Sequence, residues 1–312
     1  MSPQSIMSWV RMVTAGLLPS QSATVAVLVA AAVRLERLNI AQLGRRMAGA
    51  VAAKHTIKRA WRFTCNHRVE IADAMQGVIT RIGRRRKRRL LICLDWTDFR
   101  CFHTLVASAC LGGRAVPLLW ASYTTPKLKR SQNSLEERLL RRLKSMIPGS
   151  FQVVILADRG FGRAEWAAVC QELKFHYVVR IRPDVTIACP RFRGVLRRYP
   201  VTRGMAHVLH GVDYRRDRRV QHNVVIRWQT GLAKKRDEPW YLMTDLDGRA
   251  EQLCNLYARR MSIEELFRDH KSLRNGQSLR HTKIQHADRF DRFLLVVALA
   301  YVLLAGVGHH VY

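Results

Sequence analysis

Negative charge is what this sequence has least of: 23 of its 312 residues are Asp or Glu, against 54 Lys and Arg, leaving a formal net charge of +31. The surplus runs along the whole chain rather than in a tail, so polyanions are the natural partner, with an affinity that falls steeply as salt rises. Cysteine patterning is also missing. The seven cysteines are odd in number and form no Cys-x2-Cys pair, which excludes an evident zinc knuckle or disulfide framework and suits a reducing compartment. Long apolar runs are absent too. Ala23 to Val33 is short and is preceded by Arg11 alone as charge, a poor signal peptide; Phe293 to Gly308 is uncharged but shorter than a bilayer span, and reads as a buried core helix. A cytoplasmic protein with no membrane partner is expected. Neither internal repeats nor a low-complexity linker interrupts the chain, and 48% apolar residues are enough for a core.

What is present begins with a helical segment, residues 1–83, a candidate DNA-binding domain. Asn39 is placed to cap a helix through Met47 and Thr56 another through Cys65, on either side of the small-residue stretch Ala48 to Ala53. Their basic faces (Arg45, Arg46; Lys58, Arg59, Arg62) suit DNA contact, and equally suit ordinary packing with solvated cations. The basic run Arg84 to Arg89, a linker or phosphate contact, leads into the apolar strand Leu90 to Leu94, which ends at Asp95. Cys101 to Cys110 and Arg114 to Ser122 read as strands joined at Gly112-Gly113, a hairpin signal. Ser134-x-x-Glu137 is a capping box for a helix ending before Pro148. The apolar run Phe151 to Ala157 is a buried strand ending at Asp158; a helix (Arg163 to Leu173) and a strand (Phe175 to Ile181) follow.

Three antiparallel strands, then helix, strand, helix, strand, is the order of the ribonuclease-H-like α/β fold, which makes residues 84–312 a catalytic domain. If the first and fourth strands are neighbours, Asp95 and Asp158 emerge side by side. The Arg-rich stretch 183–239 reads as a β-rich insertion. The chain returns through Trp240 to Thr244 into one long helix, about Gly248 to Ser272, and a last apolar helix from about Ala287 to Gly308. On that long helix, at ~100° per residue, Tyr257, Arg260, Glu264 and Lys271 fall within an arc of roughly 60°, beside an apolar stripe of Leu256, Ile263 and Phe267. Glu264 is thereby expected to approach the two aspartates. Three carboxylates around one point repel unless cations lie between them, and hard oxygen ligands suit Mg2+, with Mn2+ as a substitute. Two-metal phosphoryl transfer is the matching chemistry, with Arg260 and Lys271 holding flanking phosphates. Asp98 is the local competitor of Asp95 and reads as a cap or loop residue; Glu265 points roughly 100° away from Glu264. His270 and Cys254 read as structural, and Asp245 and Asp247 as caps.

Tyr257, Arg260, Glu264 and Lys271 complete the pattern Tyr-x2-Arg-x3-Glu-x6-Lys, and here the sequence resembles the cut-and-paste bacterial transposases of the insertion-sequence-four type. Leu-Asp95-Trp-Thr and Ala-Asp158-Arg-Gly are similar to that family's two aspartate motifs, and the resemblance covers Leu90 to Gly308. It implies a DNA transposase with Asp95, Asp158 and Glu264 as catalytic metal ligands, acting in the bacterial cytoplasm on the nucleoid. Its partners would be double-stranded DNA, both the element's terminal inverted repeats and the target, bound by a dimer, with excision through a hairpin. It also implies that Tyr257, Arg260 and Lys271 contact the DNA backbone and that Trp240 stacks on a flipped base. Such stacking contributes ~1–3 kcal/mol, although Trp240 also reads as simple core. Two departures from the pattern are expected: the longer C-terminal dimerisation region of some relatives is absent, and the compact insertion leaves the hairpin step open. Two other readings stay open: a DNA-binding transposase remnant that does not cut, and a structure-selective nuclease of the same fold.

Overall fold

Residues 1–47, 51–85, 88–124, 128, 131–214, 217–230, 238–272, 277–279 and 282–311 are described by the computed structural model. Five helices open the chain: α1 (Pro3–Val13), α2 (Pro19–Ala32), α3 (Ile40–Arg46), α4 (Ala53–Cys65) and α5 (Ile71–Arg85). Strands β1 (Arg89–Phe99), β2 (Phe102–Leu111) and β3 (Arg114–Thr124) follow, then α6 (Gln132–Met146), β4 (Gln152–Ala157), α7 (Ala164–Glu172) and β5 (His176–Arg180). Next come β6 (Thr186–Cys189), β7 (Phe192–Val195), β8 (Ala206–Tyr214), β9 (Asp217–Arg227) and β10 (Trp240–Thr244). Helices α8 (Ala250–Ala258), α9 (Met261–Lys271) and α10 (Ala287–Val311) end the chain.

The chain divides into two compact units. One holds Met1–Arg88, Trp96–Phe151 and Ser262–Tyr312; the other holds Arg89–Asp95 and Gln152–Met261. In the first unit α10 packs on α2, α4 and β3, and its residues Phe293 to Ala300 are all buried. Each such large apolar side chain is worth ~1.5–3 kcal/mol in burial. The apolar run near the end of the chain is therefore core, as its length implied. Among the described residues no helix is long and apolar enough to cross a membrane. Strands β2 and β3 form the expected hairpin, turning on Gly112 (φ 52°) and Gly113 (φ 82°), where a side chain would be strained.

In the second unit the strand order is β1-β4-β5-β10-β9-β8-β6-β7. The pairs β1–β4 and β4–β5 are parallel and β5–β10 onward antiparallel, so the sheet is mixed, as a ribonuclease-H-like core requires. The insertion's strands do not stand apart: β9 pairs with β10 and carries β8, β6 and β7 outward in the same sheet. Helices α7 and α8 cover this unit's strands.

Several local expectations shift. Asn39 caps α3, its Oδ1 accepting from the Gln42 N–H at 2.9 Å, as its position implied. Thr56, however, lies inside α4, which starts at Ala53; its hydroxyl donates back to the Ala53 carbonyl at 3.0 Å. Ser134 likewise lies within α6, which begins after Ser131. The expected spacer Ala48 to Ala53 and the basic run Arg84 to Arg89 fall partly outside the described residues, at 48–50 and 86–87.

The largest correction concerns the single helix expected from Gly248 to Ser272. It is two helices, α8 and α9, broken at Arg259 and Arg260. At the break the Arg260 N–H donates to the Tyr257 carbonyl at 2.9 Å, a tighter turn than an α-helix makes. The Arg259 carbonyl accepts instead from the Cys93 thiol at 3.8 Å. A single 100° wheel therefore does not run from Tyr257 through Lys271.

Candidate active site

β1 and β4 set the site because each carries a buried apolar run, Ile92, Cys93 and Leu94 in one and Val153 to Ala157 in the other; β1 does not end at Asp95, as its apolar run implied, but runs on through it to Phe99. Their parallel register pairs Leu90 with Val153 and continues to Leu94 opposite Ala157. The next residues are Asp95 and Asp158, side by side where β4 ends. β5 adds a third position: Val179 pairs with Ala157, so Arg180 follows alongside Asp158. Outside the carboxyl ends of parallel strands is where open α/β sheets place ligands.

Arg260 reaches into this corner from the break after α8. Its Nη2 lies 3.3 Å from Asp95 Oδ2 and 3.9 Å from Asp158 Oδ2, with the Arg260 and Asp95 side chains only 10% and 15% exposed. Asp158, at 37%, is the open member of the pair. Its Oδ1 accepts from the Gly160 N–H at 2.9 Å, fixing the carboxylate against the following turn. Close approach matters in that turn, since a Cβ on Gly162 would lie 2.7 Å from the Arg180 carbonyl oxygen. The Gly162 carbonyl itself accepts from the Tyr214 hydroxyl at 2.8 Å. Arg159 and Arg180 both donate to Glu238, so two cations border Asp158.

Tyr257 is buried beside this group. Burial raises its hydroxyl pKa to about 12, against the pull of Arg260 and Arg180 and with a smaller push from Asp158 and Asp95. It is therefore a neutral donor at physiological pH. Trp240, at the start of β10 and half-buried, stands edge-on to Tyr257 with ring centroids 5.3 Å apart. Asp95, Asp158, Tyr257 and Arg260 thus gather within one unit, with Trp240 on Tyr257.

Glu264 and Lys271 belong to the other unit, on α9. Ile263, Leu266, Phe267 and His270 bury one side of this helix, and Glu264 is exposed in its first turn, where a carboxylate is favoured by the helix dipole. Glu265 is exposed as well. Lys271 Nζ lies over the rings of Phe99 and Phe267, at 5.6 and 5.7 Å. Asp98 lies within β1 rather than in a loop, 2.5 Å from His103 Nδ1 and 76% exposed. His270 is buried in the core, and Cys254 is buried too. Asp245 does not cap α8 but ties the start of β5, accepting from the Tyr177 N–H and meeting His176.

Two carboxylates at one sheet corner are hard, anionic donors of the kind that hold Mg2+ or Mn2+. The pair fits such an ion in ligand type, although the guanidinium of Arg260 now takes its oxygens. Among the described residues no three His, Cys, Asp or Glu side chains gather closely enough to hold a metal. Sequence reasoning missed Arg180 and Glu238. The signal for Arg180 was a basic residue closing the third parallel strand, readable only once its register against β4 is known.

Residues 86–303 match the family model described as "Transposase DDE domain". No curated protein gives a significant match to the chain.

Proposed function

The chain belongs to the transposase DDE domain family, whose members generally use divalent metal ions, and on that premise we propose that it is an active cut-and-paste transposase of the insertion-sequence-four type. The observation that carries the reading is the placement of Asp95, within β1, beside Asp158, which follows the end of the parallel neighbour β4, both within reach of one arginine. Asp95 and Asp158, joined by Glu264, would hold Mg2+. Bound there, the ion supplies polarisation of the scissile phosphate and a more acidic nucleophile.

The chain's own residues do the rest. Arg260 and Arg180 offer guanidinium groups to phosphate oxygens flanking the scissile bond, and Lys271 offers a point charge. Tyr257, held protonated by burial, donates to a phosphate oxygen. Trp240, half-buried with its ring near-perpendicular to that of Tyr257, offers an aromatic face to an unstacked base. The net charge of +31 supports binding to both element ends and target, and we assign DNA contact to the helical segment 1–83 through the basic faces of α3 and α4. A dimer on paired inverted repeats, working on the bacterial nucleoid, completes the reading.

The test is Mg2+-dependent cutting of a duplex carrying the element's end, by the full chain and by Asp95→Ala, Asp158→Ala and Glu264→Ala. Each variant should lose at least ~10³-fold in rate while still binding DNA, a loss of the size expected when transition-state charge stabilisation is removed. Undiminished cutting by all three would refute the assignment. Binding without cutting by the unaltered chain would point to a remnant, and cutting of branched DNA irrespective of end sequence to a structure-selective nuclease.

A further inference from the structure

We propose that Arg260 is a stand-in cation, which holds Asp95 and Asp158 together in the DNA-free protein and must leave before a divalent ion can take their oxygens. The inference rests on the reading of these two aspartates as metal ligands.

Two carboxylates side by side on neighbouring parallel strands repel, most of all where Asp95 is 15% exposed and water screens little. The guanidinium of Arg260 relieves that repulsion by lying within 4.0 Å of an oxygen of each. The Arg260 side chain is itself only 10% exposed. Its backbone is anchored by its neighbour, because the Arg259 carbonyl accepts from Cys93, two residues before Asp95 on β1. The helix break therefore has a purpose in this geometry: it sets the arginine beside the two aspartates in place of the next turn of α8.

A dication and a guanidinium compete for the same oxygen lone pairs. The apparent metal affinity is thus lowered by the fraction of time Arg260 is in place. Once displaced, the planar fork of an arginine suits a phosphodiester better than a lysine would. A DNA phosphate that draws Arg260 away would free both carboxylates, so metal loading and DNA arrival become coupled through one side chain. Such coupling keeps a cutting enzyme poorly loaded until its substrate is present.

The test is Mn2+ binding to the full-length chain without DNA, followed by the paramagnetic signal of free Mn2+. The proteins are wild type, Arg260→Met, Arg260→Lys and Asp95→Asn. Arg260→Met should bind Mn2+ roughly ten- to a hundred-fold more tightly than wild type, the worth of one charge-assisted contact in a sheltered site. Arg260→Lys, charged but without the fork, should fall between, and carries the test alone if the Met variant does not fold. Asp95→Asn should lose the site. Wild-type affinity in both Arg260 variants, with binding lost in Asp95→Asn, would overturn the stand-in role alone. Absence of Mn2+ binding in wild type and Arg260→Met alike would remove the metal-ligand reading beneath it.

Discussion

Asp291 sits near the start of α10 with one carboxylate oxygen, Oδ2, accepting from the Ser122 N–H at 3.1 Å and the other, Oδ1, buried without a hydrogen-bond partner. It lines a cavity of about 250 Å³ shared with Glu70, Trp120, Arg142, Asp288 and Arg292. Burial raises its pKa from 3.8 to about 7, against the opposing pull of the Ser122 hydrogen bonds and Arg292 and with a small push from Asp288. Between these two values the folded protein keeps a proton that the unfolded chain has lost. The stabilisation from that proton is fully present below about pH 4 and is lost as pH rises through about 7. At ~1.4 kcal/mol per pKa unit, the loss is on the order of 4 kcal/mol. Asp291→Asn imitates the protonated form at every pH. Urea unfolding of both proteins, from about pH 4.5 to about pH 8, should show the variant gaining on wild type as pH rises, by several kcal/mol at the upper end. Comparing the two cancels other titrating groups, including His270, whose effect runs the opposite way in part of the same range. A stability difference that stays constant to within ~1 kcal/mol across the range would refute the buried-proton argument.

What the sequence made legible were features that depend on neighbours in the chain. β1 and β4 were readable because each is an apolar run closed by Asp, and Gly112-Gly113 because only a turn of positive φ needs two glycines there. The mixed sheet followed from element order. What was hidden depends on distant partners. At the α8–α9 break the Arg259 carbonyl meets a thiol on β1, 166 residues away, a contact of which periodicity within the segment gave no sign. Arg180 gained meaning from its register against β4, and Asp291 from a cavity whose walls come from α5, β3, α6 and α10. Of the four signature residues, Tyr257 and Arg260 stand by the aspartates for reasons of strand and turn geometry. The shared helix face that first grouped them with Glu264 and Lys271 does not exist as drawn.

Gly77→Ala should destabilise the helical part of the chain by ~1–3 kcal/mol or more, because its Cβ would lie 2.3 Å from the Val13 carbonyl oxygen and push α1 off α5; a melting temperature equal to wild type would refute this. His270 has its pKa lowered from 6.5 to about 3, by burial first and Lys271 second, so its contribution to stability is present above about pH 6.5 and is lost as pH falls toward 3. His270→Gln should flatten that acid limb, and an unchanged limb would show that His270 is not held neutral. Glu264 and Glu265 offer the sharpest comparison, since both are exposed on α9, both carry one negative charge, and they point about 100° apart. If a general acidic surface were all that mattered, Glu264→Gln and Glu265→Gln would behave alike in the Mg2+ cutting assay. If Glu264 is a metal ligand, Glu264→Gln alone should abolish cutting, and both variants should bind end DNA at least as well as wild type because each removes a charge that repels phosphate. Equal rates for the two variants would take Glu264 out of the active site.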